Sequence, residues 1–150
     1  MDFDAKLDEL YIDMPETARS GVFAVKTGKL LYVNGVLPYS EGKVQFKGRV
    51  GLEISKDNAC RAARIAGINT LAVISNECSE TLNKVKRIIS VTGYIASGGE
   101  FRDHFRVLDG ASELFNQVFG ASGKHARNAV GCSCLPEDAC IELSVIVELK

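Results

Sequence analysis

The alternation at the C-terminal end constrains this chain more than any other feature. From residue 139 onward, odd positions read Ala139, Ile141, Leu143, Val145, Val147 and Leu149. Even positions read Cys140, Glu142, Ser144, Ile146 and Glu148. A period of two places alternate side chains on opposite faces of a strand. One face is wholly apolar and has to be covered by helices. The other is mixed and calls for water or a second subunit. Residues 85–96 alternate too, with Val85, Ile89, Val91 and Ile95 on one side and Lys86, Ser90 and Thr92 on the other. Residues 22–25 and 30–33 flank Lys26-Thr27-Gly28-Lys29 and read as a hairpin, Gly28 allowing a positive φ in the turn. Residues 44–50 read as a third, irregular strand.

Helical periodicity fills the gaps. Phe3, Leu7, Leu10 and Tyr11 make one stripe of a short amphipathic helix. Ser55 is placed to cap a second helix, which runs to about residue 74. Its Ala59, Ala62, Ala63 and Ala66 are small enough to let it lie close against a neighbour. Phe101, Phe105, Leu108, Phe115, Val118 and Phe119 are helix-spaced, with Gly110 expected to divide the stretch, Asp109 to cap its second part, and Gly120 and Gly123 to end it. The order of hairpin, helix, strand, helix and two strands predicts an α+β two-layer sandwich. Its sheet is mainly antiparallel, with helices on one face.

With 150 residues the chain has the length of one domain, carrying an N-terminal helical extension at about 1–14. Its 18 Lys and Arg against 19 Asp and Glu leave a net charge of −1, which argues against a polybasic nucleic-acid binder. No apolar run reaches the ~18–20 residues that cross a bilayer, and the acidic N-terminus lacks the apolar stretch of a signal peptide. Five cysteines, an odd number without the dense spacing of a secreted disulfide scaffold, point to reduced thiols in a cytoplasmic compartment.

Motif searches for phosphate-binding glycine loops and for H-E-x-x-H find nothing, so neither nucleotide cofactor nor metal is expected. Cys132 and Cys134 share strand phase with Val130 and are expected to pack toward the helices as small hydrophobes, without metal. His104 and His125 show no evident partner in the sequence and read as surface or structural residues rather than acid/base groups. Arg127 shares its strand face with Ala129, Gly131 and Ser133, whose small side chains leave room beside it. A guanidinium fork in such a space is suited to grip a carboxylate through two parallel hydrogen bonds. The same pattern also allows Arg127 to pair with an acidic side chain of its own chain while Glu142, on the mixed face of the last strand, is simply solvated.

The run Arg127-Asn128-Ala129-Val130-Gly131-Cys132-Ser133-Cys134-Leu135-Pro136, followed by Ile141-Glu142-Leu143, resembles the C-terminal signature of the YjgF/UK114 (Rid) family. The Gly28 hairpin running to Gly35, the Ala-rich helix from Asn58, the stretch 87–93 and the helix over 108–119 extend the resemblance across almost the whole chain. It implies a chorismate-mutase-like fold and a homotrimer. Three sheets would form a central barrel, with ligand clefts between subunits. It also implies hydrolysis of small reactive 2-imino or enamine acids to 2-keto acids and ammonia. On that resemblance Arg127 holds the substrate carboxylate, Glu142 stands near the reacting water, and Gly35, Asn34 and the main chain of Ala129 line the pocket. Asn34 stands where the deaminases usually have Ser, Ala129 where many have Cys, and Ser20-Gly21-Val22-Phe23 where they carry a Tyr.

Three functions follow from this reading. The first is imine hydrolysis, which needs positioning more than machinery and no cofactor. The second is a non-catalytic, small-carboxylate-binding or chaperone-like trimer, motivated by the missing Tyr. The third is the endoribonuclease or translation-inhibitor activity of older family descriptions. The charge balance and the absence of an aromatic platform flanked by Lys and Arg argue against that last one.

Overall fold

Strand propensity and hydrophobic phase meet in one five-stranded sheet. The computed structural model describes residues 1–16 and 22–150. The elements in chain order are α1 (Phe3–Glu9), β1 (Ala24–Thr27), β2 (Leu30–Val36), β3 (Tyr39–Ser40), β4 (Lys43–Val44), α2 (Lys56–Glu77), β5 (Val85–Ala96), α3 (His104–Phe119), β6 (Ala126–Cys132) and β7 (Ile141–Leu149). The large sheet has the order β1-β2-β7-β5-β6. Every pairing in it is antiparallel except β5 with β6, which α3 connects as a crossover. The expected α+β layer with helices on one face is therefore the fold observed.

Core packing follows the predicted phase of β7. Ile141, Leu143, Val145 and Val147 are buried against α2 and α3, together with Leu31 and Val33 of β2 and Val91 and Ile95 of β5. Ser55 caps α2 as expected, its hydroxyl accepting from the Asn58 amide at 3.1 Å. The small residues of α2 serve close approach. A Cβ on Gly110 would overlap the Cys60 carbonyl oxygen, so α3 crosses α2 at that point. Gly110 thus does not divide the helix, and Asp109 lies inside it rather than at a cap. Asp103 occupies the N-cap position of α3 instead.

Other boundaries move for identifiable reasons. The expected third strand over residues 44–50 is not part of the large sheet. Tyr39–Ser40 and Lys43–Val44 form their own small hairpin, and Val50 makes only isolated bridges to Ile54 and Ser97. In β5 the buried residue is Ile88, not Ile89, because register shifts between Val85 and Arg87 and between Ile88 and Ser90 reset the alternation. Helix α1 is pinned at its start: the Asp2 side chain accepts from the Ala5 amide, and Phe3 packs edge-on against Phe119 at 4.9 Å.

Cys132 and Cys134 require the largest correction. Strand β6 pairs in parallel register with β5, Arg127 opposite Val91, Ala129 opposite Gly93 and Gly131 opposite Ile95. Residues opposite each other in a ladder share a face. Arg127, Ala129 and Gly131 therefore face the helices, and Val130 and Cys132 face the open side with Tyr94. Cys132 is half-buried there, and Cys134 is exposed beyond the strand end. No helix among the described residues is long and apolar enough to cross a membrane.

Candidate functional site

Arg127 sits on β6, one of the sheet's two edge strands, beside α3. Three residues on one stripe of α3, Phe105, Asp109 and Ser112, reach it at i, i+4 and i+7 spacing. Its Nη1 lies 2.7 Å from Asp109 Oδ1 in an ion pair and donates to Ser112 Oγ at 3.2 Å. Its guanidinium carbon lies 5.0 Å from the centre of the Phe105 ring, which is 55% exposed. All its recorded polar contacts use Nη1. The Nε–Nη2 edge of the fork has no partner among the described residues. Arg127 thus pairs with an acidic side chain and still presents one edge capable of bidentate binding.

Ser112 relays this anchor inward. It is 7% exposed, and its Oγ lies 2.9 Å from His125 Nε2. His125 Nδ1 lies 2.6 Å from the Gly123 carbonyl oxygen. A carbonyl can only accept, so Nδ1 carries the proton, leaving Nε2 to accept from the Ser112 hydroxyl. Burial holds the His125 pKa below its usual value, opposed by the Gly123 hydrogen bond and aided by the nearby Arg127 charge. The neutral ring thereby fixes the direction of the chain running from Arg127 through Ser112 and His125 to Gly123. These side chains line a cavity of about 300 Å3 that also includes Lys124 and Glu113.

Glu142 occupies different ground. It projects from β7 on the open face, opposite Tyr94. Its side chain has no hydrogen-bond partner among the described residues, and partial burial raises its pKa. Gly35 lies beside it: a Cβ there would stand 3.7 Å from Glu142 Oε1. Gly35 has φ of +72° where the β2–β7 register shifts between Val33 and Val36, a backbone that glycine adopts without strain. Asn34, at the same irregularity, accepts a hydrogen bond from the Ser144 hydroxyl. Glu142, Asn34 and Gly35 thus form one group on the open face.

The structure separates that group from Arg127. Arg127 is registered with Val91 of β5, and Glu142 with Tyr94 on the opposite side of the same strand. Val91 faces the helices and Tyr94 faces out. The two candidates therefore lie on opposite faces of the sheet, about 10 Å apart along the strands and about 10 Å across them. Ala129 stays with Arg127, packed at the edge of the core.

Sequence reasoning missed Phe105, Asp109, Ser112 and His125 as companions of Arg127. The helical spacing of Phe105, Asp109 and Ser112 is a readable signal, but the division expected at Gly110 conceals it. His104, which shows no evident partner in the sequence, packs over Gly131 and contacts the Ser97 hydroxyl at 3.0 Å. A second cavity of about 290 Å3 is lined largely by apolar residues such as Phe23, Leu37 and Val73 and includes neither Arg127 nor Glu142. Ser20 and Gly21 lie outside the described residues. No group of three or more His, Cys, Asp or Glu side chains among the described residues is placed to hold a metal.

Comparisons with known proteins agree with this architecture. Residues 9–149 match the family described as "YjgF/chorismate_mutase-like, putative endoribonuclease". Protein TCP17 of Trypanosoma cruzi is 32% identical over 150 residues, covering 97% of this chain and 93% of its own. A crystal structure of Atu1372 from Agrobacterium tumefaciens, of unknown function, is 37% identical with a TM-score of 0.91, covering 98% of this chain and 91% of that one. A Shewanella oneidensis protein given the same endoribonuclease designation is 25% identical with a TM-score of 0.94, covering 99% and 100%. By family match and by fold, the chain belongs to the YjgF/chorismate mutase-like family.

Proposed function

We propose that this protein hydrolyses small 2-imino acids, in their iminium form, to 2-keto acids and ammonium in a cleft between two copies of the chain within a homotrimer. The observation that carries the reading is the free Nε–Nη2 edge of Arg127, held in place by Asp109, Phe105 and the Ser112–His125 relay. That edge would take the substrate carboxylate through two charge-assisted hydrogen bonds. Glu142 would come from the open face of a neighbouring copy, since one chain keeps the two groups on opposite sides of its sheet. The exposed Tyr94 and Val130 give that face apolar surface to bury.

The chemistry asks little of the protein. Water adds to the iminium carbon, the C–N bond of the resulting carbinolamine breaks, and the nitrogen leaves as ammonium. Iminium acid plus water gives keto acid plus ammonium, with charge conserved. Glu142, its pKa raised by desolvation, would take a proton from the attacking water and return it to the departing nitrogen. The backbone near Ala129 and the space at Gly35 would hold the water. No metal or nucleotide enters this scheme. Five free cysteines suit a reducing, cytoplasmic setting.

A second reading, a trimer that binds small carboxylates without turning them over, is favoured by one observation: Phe23 precedes β1 where the family's deaminases carry a Tyr. A coupled assay that generates 2-iminobutanoate and follows its disappearance separates the two. The proposed function predicts accelerated hydrolysis by the wild type and near-background rates for Arg127→Ala. Binding of 2-aminobutanoate without acceleration would establish the second reading instead.

A further inference from the structure

Ser112, His125 and Gly123 form a constellation that imine hydrolysis uses only as a brace for Arg127. The Ser112 hydroxyl donates to His125 Nε2 across 2.9 Å, and His125 Nδ1 donates to the Gly123 carbonyl oxygen across 2.6 Å. Phe115 packs edge-on against the imidazole, with ring centres 6.1 Å apart, and fixes its plane. A hydroxyl bonded to a neutral imidazole, whose other nitrogen is held by an acceptor, has the parts of an activated serine: nucleophile, general base and orienting group. At these separations a proton can pass from oxygen to nitrogen as the oxygen attacks. Burial keeps the ring neutral, so the base is in its working form.

The surroundings supply the remaining part. Ser112 lies inside α3, where its amide is bonded within the helix, so no backbone N–H beside the nucleophile is offered to a reacting group. Charge that develops on an attacked carbonyl oxygen has to be met by side chains. Arg127 Nη1 lies 3.2 Å from the Ser112 Oγ. Asn116, one turn further along α3, and Lys124 line the same cavity, and neither side chain has a hydrogen-bond partner among the described residues. Ser112 is largely buried, but it lines this cavity of about 300 Å3. Arg127 and Lys124 are offset there by Asp109 and Glu113, so the space suits a small uncharged molecule better than an ion.

We propose that Ser112 is a nucleophile, with His125 as its general base, for acyl transfer from small uncharged esters. As the Oγ–carbon bond forms, the hydroxyl proton moves to His125 Nε2. The ester C–O bond then breaks, and the leaving oxygen takes that proton and departs as an alcohol. Water repeats the sequence on the acyl-serine, releasing the acid and restoring Ser112 and neutral His125. This activity is separate from imine hydrolysis and does not require Arg127 to bind a carboxylate.

Incubation of the protein with p-nitrophenyl acetate, followed by acid quenching and peptide mapping by mass spectrometry, tests the assignment. Wild type should release p-nitrophenolate at a rate that saturates with ester concentration, and acetyl should be found on Ser112. Diisopropyl fluorophosphate should stop the release and modify the same residue. His125→Gln, which removes the base, should slow release by about a hundredfold or more. Ser112→Ala should abolish it, but that variant also loses a contact to Arg127, so the residue labelled in the wild type is the deciding readout. Label on Ser112 from either reagent upholds the inference. Label confined to other residues, such as the exposed Cys134, or release no faster than in buffer, overturns it and leaves the imine chemistry untouched.

Discussion

The two faces of the five-stranded sheet are made by alternate residues of the same strands, yet they are physically unlike. On the helix side, Leu31, Val33, Val91, Ile95, Leu143, Val145 and Val147 are buried within the chain. On the open side, Tyr32 and Tyr94 are each 39% exposed and Val130 is 44% exposed, among Glu142, Ser144 and Asn34. The first face is completed by α2 and α3. The second has the apolar content of an interface without a partner in the chain. The proposed function tracks this division. Arg127 belongs to the helix side, on the edge strand β6, and Glu142 belongs to the open side. A site using both has to be built from two copies.

Changes on the helix face should be felt as lost stability. Phe115 is fully buried between α3 and the sheet and packs edge-on against His125. Phe115→Ala should destabilise the protein by about 3–5 kcal/mol in urea unfolding. A loss under 1 kcal/mol would mean that this face is less tightly packed than its burial indicates. Changes on the open face should act on association instead. Tyr94→Glu with Val130→Asp should convert a particle of about three times 16.2 kDa to one of 16.2 kDa in sedimentation, with the circular dichroism spectrum retained. A wild type that sediments as a monomer would remove the need for this face to be covered.

On the edge strand β6, Arg127→Ala should cost roughly 2–5 kcal/mol in carboxylate affinity, because the bidentate charge-assisted contact is lost. Arg127→Lys should be poor as well, since an ammonium has no planar fork. Neither should move the unfolding midpoint much, as Arg127 borders a cavity rather than filling the core. The smallest effect concerns His125. Its pKa is lowered in the folded protein, so below pH 6.5 the unfolded chain takes up the proton more readily than the native one. Stability should be at its full value above that pH and decline as the pH falls toward the folded-state value. His125→Asn should flatten that decline, and an unchanged slope in the variant would show that His125 is not its source.

The sequence made the helix face legible because burial imposes a strict period, and β7 kept it without interruption. The same reasoning failed in β5, where two register shifts change which isoleucine points inward. It failed in β6 for a different cause. With Val130, Cys132 and Cys134 on one parity and small residues on the other, either side could have been the inner one. Parallel pairing with β5 settles the choice, and pairing is a long-range property that a local pattern does not contain. Arg127 was identifiable from its small neighbours and its resemblance to the family. Its companions on α3 were hidden by treating Gly110 as a helix breaker, when it is the point where two helices touch.

Mixing two damaged variants tests the two-copy site most directly. Arg127→Ala retains Glu142, and Glu142→Gln retains Arg127. Each variant alone should be nearly inactive in imine hydrolysis. Mixed in equal amounts, dissociated and reassembled, they should regain about a quarter of wild-type turnover, the share of intact sites in randomly assembled trimers with one site per interface. No recovery from two correctly reassembled variants would contradict a site shared between copies and would leave Arg127 and Glu142 serving separate roles on the two faces of the sheet.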